Sequence, residues 1–496
     1  MTILFRLNIV AIFIKMFERM VMVMGNNNIT TNGHSEKLPF KVKFSYGLSG
    51  YCSFIAWTAF SYYGLYFFTD VVGLSAAFAG AMISLGTLWD AVTDPIVGGI
   101  SDNLKCRYGR RRPLIIGVAV PFVLIAILMF TNWGFSEPVA KVYFVIVILL
   151  YYTAQTVLDI SSSSLGSEMT LDYDERSTLA TFKNYFGLAA TVAISPTLML
   201  VSYFGGWFEN ADFGWSCTLA VYMIIALIFI TILWRNTRGY ERHREEGGGK
   251  FSAADIKEIF KNKSTRIAAI IFAVGIFSNT INYAIQVYYF TNYAQLTEGQ
   301  IASVTMLCGV ASIIGAWVVD VLMKKLGKKL AWVIGVGSEG IVLLVMVGFI
   351  INPGSVGMIY ALVILMAVGN AAVYQVPWAM IPDCVDVTEL TSGKRMDGVI
   401  FGLVAFLQKA SGAIGAALLG TLLTFIGYSD AAVQSAETLS GIKNVFGFLV
   451  GGLYIISVII VLMYPLSKEK HDRVCEAISD RKAGKEIDMS EFKDLL

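Results

Sequence analysis

The chain has 496 residues, 56% of them hydrophobic and 15% charged, and a formal net charge of +2; its mean hydropathy is +0.65. A soluble domain carries about 25% charged side chains, so the composition excludes one and indicates an integral membrane protein, while the small net charge speaks against nucleic acid or an acidic polymer as partner. The six cysteines (52, 106, 217, 308, 384 and 475) fall singly, with no CxxC and no histidine at ligand spacing, which indicates neither a disulfide scaffold nor a metal site.

In chain order, residues 1–43 form a tail. Its stretch "LFRLNIVAIFIKMFERMVMVMG" is apolar but broken by Arg6, Lys15, Glu18 and Arg19, and it lacks a small-residue cleavage site, so it is expected neither to span a membrane nor to be removed. A start assigned too early, with translation beginning at Met22 or Met24, and an amphipathic surface helix both stay open.

A bilayer core takes about 20 apolar residues per helix. Twelve apolar runs meet that need, at 44–69, 76–101, 113–131, 140–165, 178–203 and 215–234, then 266–290, 300–323, 329–351, 355–381, 397–427 and 443–466. The two tails and the alternate connections between runs hold 35 of the 38 Lys and Arg; only Lys141, Lys443 and Lys409 lie elsewhere. By the positive-inside rule both termini are expected in the cytoplasm. The longest polar interruption, 235–265, divides the runs six and six. It is expected to be a cytoplasmic linker, its later part an amphipathic surface helix, between six-helix bundles at 44–234 and 266–466, with a cytoplasmic tail at 467–496. Internal repetition supports the division: "DNLKCRYGRR" from Asp102 matches "DVLMKKLGKK" from Asp320 at an offset of 218, and "SLGSEMTLD" from Ser164 matches "AMIPDCVDV" from Ala379 at 215.

Within the second run, "LWDAVTDPIVGG" places Asp90 and Asp94 four residues apart, on one helical face beside Thr93, and Pro95 frees the Ala91 carbonyl of its helical partner. Carboxylates, a hydroxyl and a spare carbonyl suit a small hard cation. The same pair can instead hold a proton and titrate as a unit. Facing lipid, each charge would cost about 3 kcal/mol or more, so both must face a cavity or the bundle interior. A structural network, with Asp94 locked to the Arg110–Arg112 cluster at a gate, is the plainer alternative.

Further along, Gln155, Thr156 and Asp159 share a face of the fourth run. Lys183 lies near the start of the fifth, where a basic residue is commonly an interfacial anchor. Asn279, Asn282 and Gln286 make a stripe on the seventh, open to two readings, substrate binding or ordinary interhelical hydrogen bonds. Lys409 is a cation among small residues on the eleventh, where a buried carboxylate is its expected counter-ion. Trp57, Trp378 and Gln375 offer ring faces and amides, a combination that suits sugar C–H faces and hydroxyls.

Together these segments resemble a known family. "KFSYG" (43–47), "YFFTDVVGLS" (66–75), "WDAVTDPIVGG" (89–99), "RYGRRRP" (107–113), "LDISSSSLGSEMTLDYDER" (158–176) and "IGYSDAAVQSAETLSGI" (426–442) are similar, in order, to the glycoside–pentoside–hexuronide:cation symporters, which include the melibiose carrier. The resemblance implies an all-α membrane protein with the twelve-transmembrane-helix major facilitator fold, two pseudo-symmetric six-helix bundles, in the cell membrane. It implies secondary active transport, with Na+ or H+ moved together with a sugar, glycoside or uronide by alternating access. The family's cation-site carboxylates match Asp90 and Asp94, its helix 4 threonine matches Thr156, and its helix 11 lysine matches Lys409. The sodium-associated asparagine falls on Thr93, which puts sodium in doubt. The sugar-binding aspartate matches Asp159, but the tryptophan four residues later is Ser163, the helix 1 Lys-Asp pair is Ser53-Phe54, and the helix 5 arginine is Asn184 with Lys183 adjacent. A galactoside specificity like that of melibiose carriers is therefore not expected, and Lys183 is a candidate for meeting a uronide carboxylate. In the cycle, Arg110, Arg111 and Arg112 with Asp383 and Asp386 are expected to form cytoplasmic gate pairs that break and reform.

Other classes fit less well. No GxxxxGK[ST] phosphate loop occurs, and "GVGSEG" (335–340) matches GxGxxG but lies within the ninth run with no strand before it, so it reads as close helix packing. The histidines, at 34, 243 and 471, lie in tails or linker, which argues against an enzyme. The remaining rival is an uncoupled facilitator or lipid-type carrier on the same scaffold. No cofactor beyond the coupling ion, no nucleic acid and no obligate protein partner is expected; the partners are the solute and the bilayer.

Overall fold

The computed structural model describes residues 37–104, 111–170, 173–240, 262–347, 356–393, 396–429, 433–483, 485 and 489–495. Most of the N-terminal tail, Arg110 and the expected linker helix lie outside the described residues. Among those described, regular structure is helical throughout. Helices α1 (Phe40–Tyr66), α2 (Ala76–Asn103), α3 (Arg112–Met129), α4 (Glu137–Met169), α5 (Tyr173–Ala193), α6 (Thr197–Trp207) and α7 (Ala211–Asn236) precede the linker. After it come α8 (Lys263–Tyr288), α9 (Glu298–Leu326), α10 (Lys328–Val345), α11 (Val356–Ser392), α12 (Asp397–Phe425), α13 (Ala436–Asn444), α14 (Val450–Leu462) and α15 (Lys468–Lys482).

Each of the twelve apolar runs is occupied by helix. Among the described residues, nine spans are long and apolar enough to cross a membrane, or up to ten if α5 and α6 count as one bent span. The first and ninth runs fall short for local reasons. α1 is diluted by tyrosine and serine, and α10 is short and carries Lys328, Lys329 and Glu339. The fifth run is not one straight helix. Pro196 follows a break after Ala193, and the two pieces diverge by 50°.

Helix starts follow capping chemistry. Asn210 and Asn262 accept first-turn amides of α7 and α8, and Thr297 with Gln300 closes a capping box on α9. On α2 the exposed residues Leu85, Trp89, Val92, Ile96 and Ile100 form an apolar stripe on the side away from Asp90 and Asp94. That stripe suits lipid, and Pro95 is accommodated within a continuous helix.

The helices before the linker pack chiefly on one another, α1 on α5 and α7, and α4 on α2 and α3. Those after it do likewise, α11 on α9 and α10, and α14 on α8 and α10. The two sets meet along α1 with α8, α2 with α12 and α5 with α9. A third repeat accompanies this arrangement. "YFFTDVVGLS" from Tyr66 matches "YYFTNYAQLT" from Tyr288 at an offset of 222. Both segments leave their α-helix through one π-helical stretch, at Phe67–Val71 and Tyr289–Tyr293. Both then place one residue at positive φ, Gly73 at 77° and Gln295 at 51°, before the next helix. Paired backbone bonds match as well, Leu74 N–H to the Phe68 carbonyl and Leu296 N–H to that of Phe290, each 2.9 Å.

Candidate functional site

The site is built on α2, α4, α5 and α12, with α1 behind it. On the polar face of α2, about four turns from its start, Asp90 meets Lys409 of α12, whose ammonium lies 2.7 Å from Oδ2. The same ammonium also contacts Asp94 Oδ2. Lys409 thus bridges both carboxylates, from the helix set after the linker to the set before it. Thr156 of α4 donates to Asp90 Oδ1 at 2.5 Å, and its hydroxyl lies 3.2 Å from that of Thr93. Asp90, Thr93, Asp94, Thr156 and Lys409 are therefore one oxygen-rich cluster with an ammonium at its centre. The Asp94 side chain is about a third exposed.

One turn along α4, Asp159 forms a second cluster. Lys183 of α5 reaches Asp159 Oδ1 at 2.8 Å and Ser163 Oγ at 2.6 Å, and Ser53 of α1 donates to the same carboxylate oxygen at 2.9 Å. Gln155 donates to the Ser53 carbonyl at 2.6 Å. Lys183 is thus no interfacial anchor; it is mostly buried, whereas Asp159 is 47% exposed. Its placement depends on Gly50, where a Cβ would overlap the Lys183 carbonyl, so glycine lets α5 cross α1 at backbone contact. Ser53 and Ser163, positions where the chain departs from the family pattern, hold the Asp159–Lys183 pair; the departures were visible in the sequence, but their mutual contact was not.

The other expected residues divide. Trp57 lies one turn from Ser53 on α1, half-buried, its ring 6.0 Å from Phe54. Trp378 of α11 stacks on Phe401 of α12 and is 36% exposed. The α8 stripe points elsewhere: Asn282 donates to Glu339 of α10 at 3.1 Å, and Gln286 donates to Asn282 at 3.2 Å. Asn279 is buried on the same helix. Asn282 thus makes one interhelical bond, to a carboxylate absent from the candidate residues, whereas Gln286 bonds within its own helix, and both line a cavity shared with Tyr62 and Tyr283.

At the end bearing the basic connections, Arg111 donates to Glu168 and Ser101, and Arg112 donates to the Trp234 carbonyl. Asp383 binds Lys328 at 2.6 Å and lies 3.7 Å from His471, while Asp386 lies 3.1 Å from His471. These bonds stay within one helix set. Asp94 pairs with Lys409, and Arg110 lies outside the described residues. His471, Cys475 and Asp386 place one ligand atom each within 4.8 Å of one another; His471 and Cys475 stand four residues apart in the sequence, and the fold adds Asp386. The opposite end is tightly closed. Tyr62 stacks on Tyr283 at 4.6 Å, Thr69 bonds the Tyr288 hydroxyl at 2.8 Å, and Tyr428 donates to Asp70 at 2.6 Å, each across the two sets.

The sequence profile of the family described as MFS/sugar transport protein matches residues 45–468. Over 89% of its length the chain is 30% identical to a protein of Escherichia coli K12 provisionally named the glycoside/cation symporter YagG, covering 95% of that protein. It is 25% identical to the isoprimeverose transporter of Lactiplantibacillus pentosus, over 88% of this chain and 90% of that one. Among solved structures, a D-xylose-proton symporter superposes with a TM-score of 0.59 at 16% identity, over 87% of this chain and 99% of that one. An inward-facing bacterial homologue of the lysosomal transporter Spinster gives 0.62 at 11%, over 90% and 98%. These two likenesses are of fold.

Proposed function

The chain belongs to the MFS/sugar transport protein family, as a multi-pass membrane transporter of the glycoside–pentoside–hexuronide:cation symporter type, and from that premise we propose that it moves a sugar, glycoside or uronide together with Na+ or H+ by alternating access. The observation that carries this reading is the bridge from Lys409 to Asp90 and Asp94. Two carboxylates and one ammonium leave a single negative charge, room for one monovalent cation or one proton. Asp90, Asp94, Thr93 and Thr156 supply oxygen donors for a hard cation, and the carboxylates are equally able to take a proton.

Binding of that cation competes with Lys409. Once the cluster is neutralised, the ammonium loses attraction to α2 and its field redistributes toward Asp159. The Asp159–Lys183 pair then receives the solute. Asp159 accepts hydroxyl donors, Lys183 donates to a ring oxygen or a uronide carboxylate, and Trp57 and Trp378 cover C–H faces. Cation and solute each favour the other's binding, as reciprocity requires. With both termini in the cytoplasm of a cell-membrane protein, the tyrosine-sealed end faces outward, and Arg111, Arg112, Asp383 and Asp386 lie at the cytoplasmic end, where gate pairs break and reform during the cycle. The two six-helix halves, 44–234 and 266–466, then rock about the cluster.

Membrane vesicles given a sodium gradient or a proton gradient in turn, and screened with glycosides and uronides, test this. One gradient is expected to drive accumulation above equilibrium. Equilibration under both gradients, with no accumulation, would support the uncoupled facilitator.

A further inference from the structure

Among the described residues, the carboxylate most fully removed from water is one that the expected site did not include. Glu339 of α10 is 1% exposed. Asn282 donates to Oε1, while Oε2 is buried with no hydrogen bond of good geometry. Its nearest polar neighbours there are Asn370 and the Tyr454 hydroxyl, itself buried without a partner. The titratable groups facing it are Tyr283 of α8, Cys308 of α9, Tyr374 of α11 and Tyr454 of α14; none is a cation.

An ionised carboxylate accepts only and has about four acceptor sites to fill. Among the described residues only the Asn282 amide bonds it with good geometry and no cation pairs with it, which does not offset the desolvation of an ionised carboxylate. A neutral acid fits the same space, because the Oε2 hydroxyl becomes a donor and the Tyr454 oxygen or the Asn370 carbonyl can accept it. A cavity of about 30 Å³ touches Glu339 and Asn370, room for a water. Its wall is shared with the first helix set, through Tyr62 of α1 and Thr191 of α5. The Tyr62–Tyr283 stack, which joins the two helix sets, forms part of the wall of the same cavity.

We propose that Glu339 is a proton-binding site separate from the Asp90–Asp94–Lys409 cluster, holding its proton while the halves are closed at Tyr62–Tyr283 and exchanging it with water when they part. Opening the halves wets the cavity and stabilises the ionised form, so release of the proton is linked to that step. The inference rests on the local chemistry of α10 and stands whether or not the other cluster couples the solute.

Infrared difference spectra of the purified full-length protein in liposomes test it. At neutral pH the wild type is expected to show the carbonyl stretch of a protonated carboxylic acid, shifted in deuterated water, lost in Glu339→Gln and kept in Asp94→Asn. The amide of Glu339→Gln matches the neutral acid in shape, and Tyr454→Phe provides a second check by shifting the band. Tyr62→Ala is expected to speed deuterium exchange of the band at least tenfold. Absence of the band in wild type, its survival in Glu339→Gln, or an unchanged exchange rate in Tyr62→Ala would overturn the proposal.

Discussion

At the scale of single residues, two charged pairs dominate the interior, and they differ in how far the sequence revealed them. The spacing of Asp90 and Asp94 placed both on one face, and a lone lysine among small residues on the eleventh run implied a carboxylate partner. The bridge through Lys409 realises both. Lys183 was harder, since a lysine near a helix end has a bland explanation, and only the crossing of α5 over α1 at Gly50 brings it to Asp159. Glu339 escaped because "GVGSEG" reads as a packing motif. Its glycines do pack, Gly340 against Gly451 and Gly335 against Ala372, and the same closeness buries the acid between them. Side-chain spacing gives the face a residue occupies but not the neighbour it meets, which is why Asn282 and Gln286 looked equally suited to solute or to α10. Removing a hydrogen bond to a charged group costs about 1.5–3 kcal/mol, so Lys183→Ala is expected to raise the solute KM roughly tenfold to a hundredfold. Coupling-ion affinity should stay near wild type. Exchange kinetics in proteoliposomes measure both, and an unchanged KM would remove Lys183 from the solute site.

At the scale of elements, apolar length located a helix in each of the twelve runs but not the polar α15 in the C-terminal tail, and polar composition did not mark where helices stop. α4 runs on to Met169 and α11 to Ser392, beyond the expected ends at 165 and 381, because a helix leaving the bilayer meets water that satisfies it equally well. The break at Pro196 was legible as a proline and was passed over within a long apolar run. The repeat beginning at Tyr66 and Tyr288 was likewise present in the letters, and the paired π-helical exits confirm that it is structural. Elements also meet at glycine. A Cβ on Gly80 would lie 2.6 Å from the Ala416 carbonyl oxygen, and one on Gly420 would overlap that of Ala76, so α2 and α12 touch backbone to backbone at the sealed end. Gly420→Val is expected to prise that end apart. Spin labels at positions 135 and 433 would then show a longer distance population than wild type, whereas identical distributions would contradict a packing role for this contact.

At the scale of the whole molecule, the interior charges balance in a way that no single residue shows. Asp90, Asp94 and Asp159 face Lys183 and Lys409, leaving one uncompensated negative charge where the helix sets meet. Among the described residues, α4 and α11 make no extended contact, while the tyrosine end is sealed by contacts between the two helix sets, the asymmetry that the proposed rocking cycle requires of one of its end states. Under the proposed coupling, a carrier with this balance waits for a cation, and Asp94→Asn, which brings the five groups to neutrality, is expected to remove the requirement for the ion. The most direct measurement is ion-driven uptake beside equilibrium exchange of one transported solute, in vesicles carrying wild type or Asp94→Asn at equal abundance. The account predicts that the variant loses accumulation while retaining exchange; accumulation at the wild-type level by Asp94→Asn would contradict it.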